Sequence, residues 1–440
     1  MRRAGGMKRA PTPALPPACE TVVERLGAEG DGVAVHPETG AALFLPFTLP
    51  GERVLATITH KRGDGWAGTA QVLEPSPARA EAPCPHFTAC GGCTVQHLDD
   101  GAYVAWKTGL LATSLARAGF GGVPLAPMVR TQPGGRRRMD LALRRVPGGV
   151  VVGLHAPRSE RVIDIGGCAV LAPALSALIP ALRALLRTLA TPRREGSAVV
   201  NLLDAGPDLL LRTDAEPTMP DRKRLADFAH AHGLSRITVE VGNGKMEPVA
   251  VLRPAETSMA GVDVVPPPGG FLQASAEGEA AIVAAVLAGL PEKMPARARI
   301  AELYAGSGTL TFALARHGRV SAYEGDAAAI AGLRQAAGRG GLGGKVEGAA
   351  RDLARQPLTE AELAPFAVVV LDPPHAGALA QMARLAASAV KRVIYVSCNP
   401  VALGRDAAML RGAGFKLLSA TPIDQFLWSA RLESVCVFSR

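Results

Sequence analysis

No stretch of the 440-residue chain approaches about eighteen uninterrupted apolar residues, which argues against a membrane-spanning helix. The start, "MRRAGGMKRAPTPALPPAC", is basic, but proline and glycine interrupt it before an apolar signal core can form. Residues 1–18 read instead as a disordered basic arm. Aromatic residues are only 4%, so the core must be built from Ala, Leu and Val. Cysteine is scarce and odd in number: Cys19, Cys84, Cys90, Cys93, Cys168, Cys398 and Cys436. An odd count without a secretory signal argues against a disulfide framework and fits a reducing, cytoplasmic setting. Acids are outnumbered, with 39 Asp and Glu against 48 Lys and Arg, for a formal charge of +9. That balance suits a polyanionic partner without defining one.

The patterning changes along the chain. Residues 19–74 alternate short apolar runs with glycine-rich turns and predict a small β-barrel. "EPSPARAEAPCP" reads as a linker, and residues 101–119 have helical periodicity. Residues 75–262 form a mixed α/β middle, with a helical region over 169–190 expected to break near Pro180 and strand-like runs at 198–203, 207–212 and 236–240. From 263 to 440 a catalytic domain is expected. From about 297 strands and helices alternate: "ARIAELYAGSGTL" as a strand, a glycine turn and a helix to about His317, then "RVSAYEGD", "KVEGAARDL", "FAVVVLDPP" and "RVIYVSCNP", with "FKLLSATPI" and "ESVCVFS" completing the sheet. The fold class is therefore α/β, a doubly wound and mostly parallel sheet whose ligands lie beyond the strand carboxyl ends.

The candidate site residues stand at those ends. "LYAGSGTL" carries Gly306 and Gly308 but not the full GxGxxG pattern, so it defines only a nucleotide-like ligand. Glu324 ends the next strand, where a carboxylate can accept from ribose hydroxyls. An NAD dehydrogenase and an adenosylmethionine methyltransferase would both use it. The incomplete pyrophosphate pattern favours the methyl donor. Asp352 is a candidate for the adenine side, Asp372 follows a fully apolar strand into Pro-Pro, and Gln273 can donate and accept. Cys398 ends a strand where backbone N–H groups can lower a thiol pKa, as a nucleophile requires; a buried structural thiol would look the same. Glu433 can serve as its base if the two strands are neighbours. Cys436, flanked by Val435 and Val437, reads as packing.

"CPHFTACGGC" holds Cys84, Cys90 and Cys93, with Cys168 as a distant fourth thiolate after a Gly-Gly turn. Zinc with His86 or His97, or an iron–sulfur cluster, could use these ligands, and four sulfurs lean toward iron–sulfur. The arginine run "RTQPGGRRRMDLALRR" could line an RNA backbone groove.

Together, the cysteine quartet, "GGRRRMDLAL", "GGFLQ", "LYAGSGTL", "YEGD", "LDPPH", "YVSCNP" and "LESVCVF" resemble the RNA 5-methyluridine methyltransferases. The likeness is in particular to the branch that carries a [4Fe–4S] cluster and modifies bacterial 23S ribosomal RNA. The resemblance spans nearly the whole chain. It implies a class I, Rossmann-like S-adenosylmethionine methyltransferase domain, an OB-like TRAM barrel over 19–74 and a central iron–sulfur domain over 75–262, with the 101–119 helix packing on the catalytic domain. It makes Cys398 the nucleophile toward uracil C6, Glu433 the base for the C5 proton, and Asp372 and Gln273 the groups that hold uracil and the donor's reacting end. Tyr304, Thr309, Glu324 and Asp352 would contact S-adenosylmethionine, and Cys84, Cys90, Cys93 and Cys168 would hold the cluster. It further implies an RNA partner, 23S rRNA or alternatively tRNA at uridine-54, with no DNA, no membrane and a monomeric state. The chain departs from the pattern at Thr309, where asparagine is usual, at His375, where arginine is usual, at Gly135, which replaces an aromatic, and before the last strand, where a histidine is missing. An RNA-binding protein without chemistry is the competing reading, opposed by intact Cys398, Glu433 and Asp372. An NAD oxidoreductase is opposed by the incomplete glycine turn.

Overall fold

A computed structural model describes residues 15–242, 244–295 and 297–440. Of the arm expected over 1–18, residues 1–14 lie outside the described residues. The chain divides into two compact units: one runs to Ala82 and takes in Thr94–Tyr103, the other comprises Pro83–Cys93 and Val104–Arg440.

The first unit carries a six-stranded sheet between Cys19 and Glu74. Its centre is the hairpin of Arg53–Arg62 with Gly65–Glu74, closed by a turn in which Gly63 has φ +57°. Alternation along the first of these strands turns Val54, Ala56 and Ile58 inward onto Leu43 and Leu45.

The second unit holds two large sheets. The first orders Val162–Asp164, Gly149–His155, Arg138–Val146, Glu195–Leu203, Gly206–Thr213, Arg236–Val241 and Met246–Val251. Its one parallel pair, Gly206–Thr213 with Arg236–Val241, is bridged by the Met219–Ala231 helix. The break expected near Pro180 does not occur, and Pro173–Thr188 is one helix. Leu175, Leu178, Ile179, Leu182 and Leu186 are all buried from it. Burying five such side chains, at about 1.5–3 kcal/mol each, outweighs the roughly 3 kcal/mol cost of one internal proline.

The other sheet runs Val346–Ala350, Arg319–Glu324, Arg299–Leu303, Val368–Leu371, Arg392–Ser397, Glu433–Ser439, Lys416–Asp424 and Val129–Arg130. Numbered from Arg299–Leu303, the first seven lie in the order 3-2-1-4-5-7-6. The first five are parallel, and Glu433–Ser439 runs antiparallel to both its neighbours. The crossover from the third strand to the fourth makes a switch point at the ends of Arg299–Leu303 and Val368–Leu371, where a doubly wound sheet opens its ligand crevice. The helix after the glycine loop is a single turn, Thr311–Leu314, shorter than the run to His317 read from the sequence; Gly318 follows, and a Cβ there would lie 2.9 Å from the Ala298 carbonyl oxygen.

Helix Asp100–Leu115 continues into a wider turn, Ala116–Phe120. Leu111, Leu115, Ala118 and Phe120 enter the same core as Val369, Val393, Tyr395 and Phe438 of the eight-stranded sheet. Lys107 of this helix, fully buried, pairs with Asp424 and donates to the Phe426 carbonyl at 2.9 Å. Among the described residues no helix is long and apolar enough to cross a membrane.

Candidate active site

At the switch point the Asp372 N–H donates to the Leu303 carbonyl at 3.2 Å, tying the two strand ends together. The chain leaves Leu303 through Tyr304, at φ +65°, a conformation that costs a non-glycine residue of order 1–3 kcal/mol. Gly306 and Gly308 follow at φ +56° and +110°. A Cβ on Gly308 would lie 2.5 Å from the Phe312 ring, whereas nothing lies within 4 Å of a Cβ position on Gly306, so the loop is packed on one side and open on the other. Beneath it, buried Glu302 accepts from the Thr311 hydroxyl, and burial raises its pKa to about 8.

Glu324 spans this loop. One carboxylate oxygen accepts from Gly306 N at 2.9 Å and the other from Asp326 N at 2.9 Å. A carboxylate has about four lone-pair sites, so two donors leave capacity for ribose hydroxyls. Asp352, exposed after the third strand, turns one oxygen to Ala354 N and Arg355 N. The Thr309 hydroxyl faces Met259 Sδ at 3.9 Å. Burial, then the charges of Asp406, Asp352 and Glu324, pushes the Tyr304 phenol up to about 12.

The antiparallel register pairs Ser397 with Ser434, so Cys398 and Glu433 emerge at the same end of adjacent strands. Four buried or half-buried side chains then form one relay. Gln273 Nε2 donates to Asp372 Oδ2 at 3.0 Å, Gln425 Nε2 donates to Gln273 Oε1 at 2.7 Å, and the same amide donates to Glu433 Oε2 at 2.9 Å. The Gln425 amide is itself oriented by Ala274 N, which donates to its oxygen at 2.9 Å. Glu433 Oε1 is buried without a hydrogen-bond partner, an orphan that normally carries a cost or a task. Burial pushes both carboxyls above their ordinary range; for Glu433 the nearby Asp372 charge adds to it, and for each a side-chain amide pulls the other way. The Cys398 thiol is pushed up to about 12, mainly by burial and then by Glu433 and Asp372, with Arg431 opposing. Its sulfur lies 3.8 Å from His375 Nδ1.

Gln425, Arg431 and Asn399 were not singled out in the sequence. Gln425 stands one residue beyond the Lys416–Asp424 strand in "PIDQF", a polar strand end like the others, and that was the available signal. Its loop is pinned by the buried Lys107–Asp424 pair and by Thr131, whose N–H and hydroxyl both donate to the Asp424 carbonyl, at 3.1 and 3.0 Å.

Away from this pocket, Cys84, Cys90, Cys93 and Cys168 are half-buried. The Cys90 thiol is pushed up by burial and by the nearby Cys168 and Cys84, while Cys168 and Cys93 both act on the buried Arg136 guanidinium. Among the described residues no three His, Cys, Asp or Glu side chains are grouped to hold a metal. His86 Nε2 is occupied by Gly166 N at 3.2 Å. The arginine run is largely turned inward. Arg136 donates to the Arg138 carbonyl, Arg137 to the Gln273 carbonyl and Glu279, Arg138 to the Gly270 carbonyl and Arg145 to carbonyls of Leu186, Leu189 and Pro192. Of these, Arg137 and Arg138 brace the loop that carries Gln273.

The sheet order and the polar strand ends define a methyltransferase built around an adenosine-bearing donor. A tRNA (uracil-54, C5)-methyltransferase of Pyrococcus abyssi, solved with S-adenosyl-L-homocysteine, has the same fold: TM-score 0.72 at 20% identity, covering 96% of this chain and all of that one. The sequence pattern of the tRNA (Uracil-5-)-methyltransferase family matches residues 349–440. An uncharacterized RNA methyltransferase of Rhizobium meliloti is 38% identical over 95% of this chain and 98% of its own. The 23S rRNA (uracil(1939)-C(5))-methyltransferase RlmD of Alkalilimnicola ehrlichii is 35% identical over 96% of each. The chain belongs to the RNA uracil-5 methyltransferase family, enzymes that use S-adenosylmethionine.

Proposed function

We propose that this enzyme methylates C5 of a uridine in 23S ribosomal RNA through a covalent adduct on Cys398. Uracil C5 is a poor nucleophile until C6 carries a substituent, so a thiolate is needed beside the ring. The Cys398 sulfur forms the S–C6 bond with its own electron pair, and the C5=C6 π electrons move toward O4. C5 of the resulting enolate then takes the methyl group. S-adenosylmethionine supplies that methyl as an electrophile on its sulfonium. Glu433 removes the C5 proton, the C5=C6 bond re-forms, and the S–C6 pair returns to sulfur. Glu433 Oε1 is suited to that proton, being buried and unpartnered on the strand end next to that of Cys398. Asp372 and Gln273 orient the base, and the target nucleotide must leave its stack to enter a pocket of this kind.

Glu324 would hold the donor's ribose, with Tyr304, Thr309 and Asp352 around the adenosine. The open side of Gly306 and the spare acceptor capacity of Glu324 fit that ligand. Cys84, Cys90, Cys93 and Cys168 would hold a [4Fe–4S] cluster, which would tie the 83–93 segment to the central sheet. The charges of Cys84 and Cys168 act on the Cys90 thiol, and the orientation of His86 toward Gly166 leaves it poorly placed as a zinc ligand. The sheet of residues 19–74 would act as a TRAM-type RNA-binding module.

The placement of Cys398 and Glu433 at the same end of adjacent strands, next to the Ser397–Ser434 pair, carries this reading. Ribosomal RNA is favoured because the likeness to the 23S enzyme extends over 96% of both chains at 35% identity. Mass-spectrometric mapping of 5-methyluridine in a deletion strain tests it. Loss at one 23S position, restored by wild type and not by Cys398→Ala, is expected. Loss in tRNA with 23S RNA unchanged would overturn the ribosomal assignment.

A further inference from the structure

Asn399 caps the Pro400–Gly412 helix: its Oδ1 accepts from Val401 N at 3.0 Å. That bond fixes which way the amide faces. Nδ2 is turned to His375, where it donates to the backbone carbonyl at 2.9 Å and lies 3.4 Å from the ring Nε2. An amide nitrogen can only donate, so Nε2 is the acceptor and the ring proton sits on Nδ1. Nδ1 is the atom facing the Cys398 sulfur, at 3.8 Å. The loop bearing His375 is pinned: Ala378 N donates to buried Asp406 at 2.7 Å, Arg405 donates to the Ala376 carbonyl at 2.9 Å, and Gly377 N closes a turn onto the Pro374 carbonyl at 2.7 Å.

We propose that His375 is a positioning residue for the nucleophile, its Nδ1–H donating to the Cys398 sulfur and stabilising the thiolate before attack and again on departure from C6. No proton passes between them. The thiol proton leaves to solvent, and the imidazole stays in one tautomer throughout. Other groups facing this pair are Asp372 and Glu433, whose charges oppose the thiolate, and Arg431, which favours it; Arg405 and Asp406 engage each other behind the loop. Burial and Arg431 lower the His375 pKa, keeping the ring neutral, so it acts through its N–H dipole. The Asn399 cap thereby sets the chemistry of its sequence neighbour.

The inference rests on Cys398 as nucleophile, but its test needs neither RNA nor donor. The rate of iodoacetamide modification of the Cys398 peptide is followed by mass spectrometry across about pH 6 to 10 for full-length wild type, His375→Ala and His375→Asn. His375 is exposed, so these variants should keep the fold. Below the thiol's midpoint the rate rises about tenfold per pH unit, and alanine should displace that line by about one pH unit, slowing modification about tenfold at each pH. Asparagine, whose Nδ2 can replace Nδ1 as donor, should stay within about threefold of wild type. In turnover, alanine should lower kcat most at neutral pH and recover toward alkaline pH, which a purely structural defect would not do. Superposable profiles for alanine and wild type would overturn the proposal. If adducts with 5-fluorouridine RNA still formed on Cys398, only this inference would fall; if none formed, the catalytic reading would fall too.

Discussion

Gln425 holds Glu433: its Nε2 donates to Glu433 Oε2 at 2.9 Å while leaving Oε1 of the same carboxylate without a partner. The arrangement fixes the carboxylate with one oxygen and reserves the other. A base that must meet a proton arriving only after methyl transfer benefits from being fixed in advance.

Removing the base should separate the two halves of the reaction. Glu433→Gln keeps the Gln425 contact within reach of an amide oxygen but cannot take the C5 proton. Turnover should fall by about 10²–10⁴-fold, the usual worth of a general base. Attack and methylation precede the lost step, so a methylated protein–RNA adduct should accumulate, visible as a retarded band on a denaturing gel. Equal loss of adduct and turnover would place Glu433 earlier in the sequence.

Gln425→Ala leaves the geometry of Cys398 intact and frees both Gln273 Oε1 and Glu433 Oε2. A hydrogen bond to a charged group is worth about 1.5–3 kcal/mol, so kcat should fall roughly 10- to 100-fold. The donor's KM should change little, since Glu324 and the glycine loop are untouched. Steady-state kinetics with each substrate varied in turn distinguishes this from a general loss of structure.

The relay also sets opposite pH trends for stability and activity. Burial raises the folded-state pKa of Asp372 and Glu433 above their unfolded values, so the stability they allow is fully present below the unfolded values and is lost as pH rises through the folded ones. On the proposed mechanism Glu433 acts ionised and Cys398 as thiolate, so kcat/KM should rise over the same range. Glu433→Gln should therefore gain thermal stability relative to wild type as pH increases, by about 1.4 kcal/mol per unit of raised pKa. Melting curves at acidic and alkaline pH check the sign; a constant difference would contradict it.

Much of this site was legible because apolar strands stop abruptly at polar residues. Val368–Leu371 is buried throughout and then reaches Asp372; in Arg392–Ser397 every residue after Arg392 is buried before Cys398 is reached. Glu324 and Glu433 follow the same rule at opposite ends of their strands. Gln425 obeys it too, yet its part depends on Glu433–Ser439 lying between Arg392–Ser397 and Lys416–Asp424, a neighbour relation absent from local sequence. The short Val129–Arg130 strand was invisible for the same reason, since its pairing with Ile423 and Asp424 spans some three hundred residues. The arginine run shows a signal that charge alone could not resolve. Its density suggested an RNA groove, but Arg136, Arg137 and Arg138 point to carbonyls inside the fold, and charge alone cannot distinguish a bracing guanidinium from an RNA-facing one.

The cysteine quartet carries its own expectation. Anaerobic reconstitution with iron and sulfide should yield about four irons per chain and a broad visible sulfur-to-iron absorbance. Replacing Cys90 and Cys168 together with serine should abolish both. Binding of one zinc with no iron retained would contradict the cluster assignment.

The central claim is that Cys398 attacks the target base. The direct measurement is covalent trapping with RNA in which the target uridine is 5-fluorouridine, whose fluorine cannot be removed as a proton. In the presence of S-adenosylmethionine, wild type should form a denaturant-stable adduct that carries the transferred methyl group and maps to the Cys398 peptide, and Cys398→Ala should form none. An adduct undiminished in Cys398→Ala, or methylation by wild type without any adduct, would contradict the account.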